Sequence, residues 1–168
     1  SRQAPVGYVF IGTEEERKAI HLAQTTYRQQ GGTAPLCDAV GKTSLPQLAA
    51  VLSQCRLLLT NDTGPMHLAV GVGTPVIDLS VGHVDFRETG PYGPGHWMVQ
   101  PDLGCAPCGF DKVCFHHACK DRLVPEQIAS LCLHVLAGAA FPQSITRARI
   151  YRSYADEDGL GSTQLHAG

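Results

Sequence analysis

Leu57-Leu58-Leu59-Thr60-Asn61-Asp62-Thr63-Gly64-Pro65-Met66-His67-Leu68-Ala69-Val70 is the stretch that decides the fold. An apolar run gives way to a polar turn and then to a second apolar run. That pattern predicts a buried strand, a tight turn and a helix start. Pro65 suits the first helical position, where its missing N–H costs nothing. Thr63 or Asp62 is placed to cap the free N–H groups. Gly71-Val72-Gly73 should stop the helix, and Thr74-Pro75 should lead into another strand over 76–80. A helix that starts straight after a strand aims backbone N–H groups outward, which makes a ready phosphate site. On these residues alone, the turn reads equally well as a capped helix with no ligand.

Outward from this stretch, strand and helix patterns alternate. Val6-Gly7-Tyr8-Val9-Phe10-Ile11 reads as a short buried strand ended by Gly12. Thr13 and Glu16 form a capping box for a helix to about Gln30, with Ile20, Ala23 and Tyr27 on one face. A weaker strand is expected over 35–40. Ser44 and Gln47 make a second capping box, opening a helix with Leu45, Leu48, Ala49 and Leu52 inward. Residues 81–93 read as a long loop, and a last strand is expected over 97–99. A helix should start at Pro125 and bury Ile128, Leu131, Cys132, Val135 and Leu136. The division expected is a Rossmann-like body over 1–141, including a cysteine-rich loop at 105–119, and a C-terminal tail over 142–168, with little periodicity beyond Ile145 to Tyr154 and a loose end from Asp156. Alternating strands and helices imply an α/β fold with a parallel sheet and helices on both faces. Ligands of such sheets bind beyond the carboxyl ends of the strands. Gly12-Thr13-Glu14, Gly41-Lys42-Thr43 and Asn61-Asp62-Thr63-Gly64 all fall at those ends and are expected to share one crevice.

Composition narrows the function classes. The 168 residues carry a formal charge of −2, so no basic stripe points to nucleic acid. Charged residues are 17%, with 18 glycines and 11 prolines, a loop-rich but ordered balance. No apolar run approaches membrane-spanning length and no signal peptide is visible, so a cytoplasmic protein is expected. The seven cysteines are an odd number. Cys37, Cys55 and Cys132 lie within apolar patterns, which favours reduced thiols over a disulfide framework.

Asn61-Asp62-Thr63-Gly64-Pro65-Met66-His67-Leu68-Ala69 followed by Gly73-Thr74-Pro75-Val76 resembles the signature of glycosyltransferase family 9, the ADP-heptose:lipopolysaccharide heptosyltransferases. The order of motifs is similar from about Tyr8 to Leu136. The loop over 81–93 is also similar, with Gly82, Asp85 and Gly90-Pro91-Tyr92-Gly93 in place. His83, Val84 and Phe86 depart from the family's usual residues, which bears on sugar specificity. The resemblance implies the donor-binding half of a GT-B glycosyltransferase. It would move heptose from ADP-heptose to a lipopolysaccharide core acceptor with inversion, at the cytoplasmic face of the inner membrane. The catalytic base would lie in an N-terminal acceptor domain not contained in this sequence, so no catalytic residue is assigned here and no cofactor is required. The nucleotide domain's first strand would also be absent, leaving a gap between the strands near Val6 and Leu57. An unseen segment would fill that gap, or the sheet would rearrange.

The same resemblance implies site residues. Thr63, Gly64 and Met66 would line the diphosphate, and Asp62 would face the donor sugar. A carboxylate is repelled by a diphosphate and better used on sugar hydroxyls. His67 would contact phosphate; without a ligand, a first-turn histidine is expected to be neutral. Glu14 would hold the ribose, although Glu14-Glu15-Glu16 also reads as ordinary first-turn acidity. The backbone of Thr43 would meet the adenine. Cys105, Cys108, Cys114 and Cys119 either hold a structural zinc or iron or form a cluster of reduced thiols, with His116 and His117 as spares. Two other readings stay open: a domain of another nucleotide-sugar transferase or epimerase, and a non-catalytic binding module stapled by metal.

Overall fold

The computed structural model describes residues 6–108, 113–138, 141, 147–156 and 159–165. The chain divides into two compact units, Ser1–Leu48 and Ala49–Gly168.

The first unit contains β1 (Tyr8–Phe10), a single 3-10 turn at Glu14–Glu16, α1 (Arg17–Gln29) and β2 (Leu36–Asp38), and it ends inside α2 (Leu45–Ser53). β1 and β2 pair in parallel, Tyr8 opposite Leu36 and Phe10 opposite Asp38. The Thr13–Glu16 capping box forms, with Glu16 Oε2 accepting from the Thr13 N–H at 2.7 Å, and Gln47 Oε1 accepts from the Ser44 N–H at 2.9 Å. These bonds satisfy N–H groups that a helix start leaves unpaired. Two expectations fail here. β1 is not buried, with Tyr8 46% and Val9 41% exposed, and Leu45 is 70% exposed while Leu48 and Leu52 are buried. α1 buries no residue at all. A short two-stranded sheet offers α1 too little surface to cover its apolar face.

The second unit contains β3 (Leu58–Thr60), α3 (Gly64–Gly71), β4 (Val76–Leu79), α4 (Phe86–Thr89), β5 (Trp97–Pro101), α5 (Ala118–Asp121), α6 (Pro125–Ala137), β6 (Ala148–Asp156) and β7 (Gly159–Leu165). Its sheet has the order β3-β4-β5-β6-β7. β3, β4 and β5 are parallel, whereas β6 and β7 are antiparallel to their neighbours. Alternation along β5 separates two faces. Trp97 and Val99 join Ile77, Ile150, Ile128 and Leu131 in a core covered by α6. Met98 points the other way and packs with Tyr151 and with Phe86 of α4. Helices therefore cover both faces of an α/β sheet, as the alternating pattern predicted.

The tail is the main correction. Instead of standing apart from the body, Ala148–Asp156 is the fourth strand of the sheet, and Ile150 is 2% exposed in its core. The remaining tail residues 142–146, 157–158 and 166–168 lie outside the described residues. α4 is a second correction. A single turn of helix breaks the long loop, with the Asp85 carboxylate accepting from the Arg87 N–H at 3.0 Å. Phe86 is 6% exposed and packs with Met98 and Tyr151 in that core. Cys37 is exposed instead of lying in an apolar interior. Among the described residues no disulfide forms, and no helix is long and apolar enough to cross a membrane.

Candidate functional site

The turn between β3 and α3 is built as a strand end feeding a helix start. Thr63 is the N-cap residue, with φ −151° and ψ 171°. Neither Thr63 nor Asp62 caps the helix with its side chain, contrary to the expectation. The Thr63 hydroxyl donates instead to the Asn61 carbonyl at 3.1 Å, where the Thr60 hydroxyl also donates at 2.9 Å. Asp62 is taken by a different partner, since the Thr89 hydroxyl of α4 donates to its carboxylate. With both side chains engaged elsewhere, the N-terminus of α3 keeps its dipole and has no side-chain cap. Pro65 is the second helical residue rather than the first, and Met66 is fully buried. A Cβ added at Gly64 would meet nothing within 4 Å, so the space in front of the turn is open. His67 is exposed on the first turn of the helix.

Glu14 and Thr43 belong to the first unit. The Gly41 N–H donates to the Gly12 carbonyl at 2.9 Å, tying together the loops after β1 and β2. Glu14 lies across this junction: a Cβ at Gly41, where φ is +65°, would come within 2.7 Å of Glu14 Oε2. Arg17 holds the Glu14 carboxylate and also donates to Asp38 at 3.2 Å and to the Val40 carbonyl at 2.8 Å. The hydrogen bond from Arg17 holds the Glu14 carboxyl below its ordinary value, and Glu14 raises Arg17 in return. Asp38 is lowered first by the Val40 N–H, which donates at 2.9 Å. Glu14 therefore presents a charged carboxylate beside a glycine backbone.

Sequence reasoning missed Asp78. It is fully buried in the middle of β4, and burial pushes its carboxyl up to about 6. The Ser80 hydroxyl donates to one of its oxygens, and Oδ1 has no partner. The signal was present: an acidic residue interrupts a run otherwise suited to a strand buried on both faces. Thr89 was also missed, although Asp85 and Glu88 have the spacing of a capping box that would have announced α4.

Among the described residues, no three His, Cys, Asp or Glu side chains are grouped so as to hold a metal ion. Cys119 is buried while Cys105 is exposed, and residues 109–112 between them lie outside the described residues. A cavity of about 360 Å³ is lined by Val70, Pro75, Tyr92 and His96 among others. Pro75 precedes β4, so this cavity lies at the opposite end of that strand from the Asp62 turn.

The profile of glycosyltransferase family 9 (heptosyltransferase) matches residues 6–118. The chain belongs to glycosyltransferase family 9. Among curated members, it is 30% identical over 128 residues to lipooligosaccharide heptosyltransferase 2 of Campylobacter jejuni serotype O:2, covering 74% of this chain and 39% of that protein. It is 50% identical over 55 residues to the lipopolysaccharide core heptosyltransferase OpsX of Haemophilus influenzae, covering 33% and 16%. The structure of an Escherichia coli ADP-heptose lipopolysaccharide heptosyltransferase II superposes with a TM-score of 0.62 at 20% identity, over 79% of this chain and 37% of that one. That likeness shows the shared fold. The family 9 chain thus spans under two-fifths of the Campylobacter relative it matches.

Proposed function

We propose that this family 9 chain is the nucleotide-sugar-binding part of a heptosyltransferase. Its donor is ADP-heptose, and the acceptor is a lipopolysaccharide core sugar. The transfer inverts the anomeric centre, with the base supplied by sequence outside this chain. The observation that carries this reading is the turn before α3, in a chain that belongs to family 9. The helix start there has no side-chain cap, and open space stands in front of Gly64. Backbone N–H groups near Thr63, Gly64 and Met66 would hold the diphosphate and stabilise charge developing on the leaving group. His67 would add a phosphate contact. Asp62, already fixed by Thr89, would accept from sugar hydroxyls. Glu14 would hold the ribose diol, and the Thr43 backbone would meet adenine. The work would take place at the cytoplasmic face of the inner membrane.

Calorimetric titration with ADP and ADP-heptose tests this assignment. Gly64→Val places a branched side chain where the diphosphate must approach, so it should weaken both ligands. Asp62→Ala removes a charged acceptor for the sugar and should weaken mainly ADP-heptose. Loss of that hydrogen bond is expected to cost about 1.5–3 kcal/mol. Wild-type affinity of Asp62→Ala for ADP-heptose would remove the sugar role of Asp62. Binding of a uridine or guanosine nucleotide sugar in preference to ADP-heptose would favour a different transferase.

A further inference from the structure

Asp78 lies in a row that crosses the second sheet. Thr60 of β3 is opposite Asp78 of β4, which is opposite Met98 of β5, which is opposite Tyr151 of β6. Met98 and Tyr151 pack under Phe86 of α4, so this is the α4-covered face. Asp78 is 0% exposed, Ser80 1% and Gln100 2%, all in the sheet's interior. Asp78 Oδ1 and Gln100 Nε2 both lack a hydrogen-bond partner. A buried carboxyl with one oxygen unsatisfied is costly as an anion. Thr60 leads straight into the Asp62 turn, and Thr89 of the same α4 holds Asp62. The two carboxyls are close enough for the charge on Asp62 to raise Asp78 further, after burial.

Other groups on this face are already matched. Arg87 of α4 pairs with Asp85 at 3.3 Å, and Arg149 of β6, opposite Gln100, donates to Asp102 from Nε at 2.9 Å. Glu88 of α4 is exposed, and Tyr151 is packed in the apolar cluster. Burial lowers His96, just before β5, so it adds no cation. The charge that acts on Asp78 is therefore that of Asp62, of the same sign.

We propose that Asp78 is a positioning residue of the diphosphate turn: protonated, it leaves Asp62 the turn's carboxylate charge, and once ionised it weakens binding of a nucleoside diphosphate. This rests on the nucleotide-sugar reading above. The mechanism is electrostatic. A second negative charge behind the turn opposes an anionic ligand and strains the Thr89–Asp62 contact that fixes the turn. The ligand is not altered: the only step is a proton passing from the Asp78 carboxyl to water, leaving the carboxylate.

ADP titrated calorimetrically into the wild-type chain and into Asp78→Asn from pH 5 to 8 tests it. The phosphates of ADP are common to both titrations, so the ratio of the two affinities isolates Asp78. At pH 5 the two should bind alike. Above about pH 6 the wild type should fall behind the variant by roughly three- to tenfold. Ser80→Ala removes the donor that favours the charged carboxyl, so it should move that divergence to higher pH. A constant ratio across the range overturns the proposal even if ADP binds. A constant ratio accompanied by a pH-dependent difference in melting temperature assigns Asp78 to stability alone, and also overturns it. If neither protein binds ADP at any pH, the nucleotide-sugar reading fails and takes this inference with it.

Discussion

A carboxyl buried at the centre of a strand is a stability statement as well as a functional one. Asp78 titrates near 6 when folded, against an ordinary 3.8. The folded state thus holds its proton more tightly than the unfolded state, and stability falls as pH rises from about 4 to about 6. Above that window the ionised carboxyl costs about 3 kcal/mol. Asp78→Asn should therefore raise the melting temperature by several degrees at pH 7 and change it little at pH 4. Thermal melts of both proteins at the two pH values check this, and an equal shift at both would show that Asp78 is not ionising. Asp78 escaped sequence reading because an apolar run was scored as a whole. Gly64 and Asp62 did not escape it, because a strand, a turn and a helix start leave a signature in residue types. What no such signature records is the partner of Asp62, since Thr89 lies 27 residues further along the chain.

β6 shows what an element can hide. The residues Arg149-Ile150-Tyr151-Arg152-Ser153-Tyr154 suit a strand by composition, but Gly159, Gly161 and the acidic run before them suggest a loose end. Pairing with β5 decides the matter, and that pairing is a tertiary fact. Ile150 sits among Trp97, Val99 and Leu131, so Ile150→Ala should cost about 2–5 kcal/mol. Thr163→Ala on the exposed side of β7 should stay within about 0.5 kcal/mol. Denaturant melts of the two variants make the comparison, and equal small losses would return the segment to the status of a tail. α3 and α6 were legible because Pro65 lies in the first turn of one and Pro125 opens the other, and because α3 ends in the Gly71-Val72-Gly73 run. α1 was legible as a helix, yet its buried face was not, because burial depends on what lies opposite.

At the scale of the molecule, the two units differ in how much they bury. Val40 and Leu48 are the buried hydrophobic residues described in the first unit, whereas the second holds the α6-covered core. The strands also carry exposed apolar residues: Tyr8 and Val9 on β1, and Leu59 on β3, are each more than 40% exposed. Among the described strands, β1 pairs with β2 alone and β3 with β4 alone, leaving open edges. Amide hydrogen exchange should therefore find the slowest sites in β4, β5 and β6, with β1 and β2 opening at lower free energy. Equal protection of both sheets would mean that the first unit has support these burials do not reveal. The central claim is that the turn before α3 receives a nucleoside diphosphate. Titrating ADP into the isotopically labelled chain and following its backbone amide resonances tests this most directly. The account predicts the largest shifts at Asn61, Asp62, Thr63, Gly64, Met66 and His67. Shifts gathered instead around the cavity of Val70, Tyr92 and His96, or no shifts at saturating ADP, would contradict it.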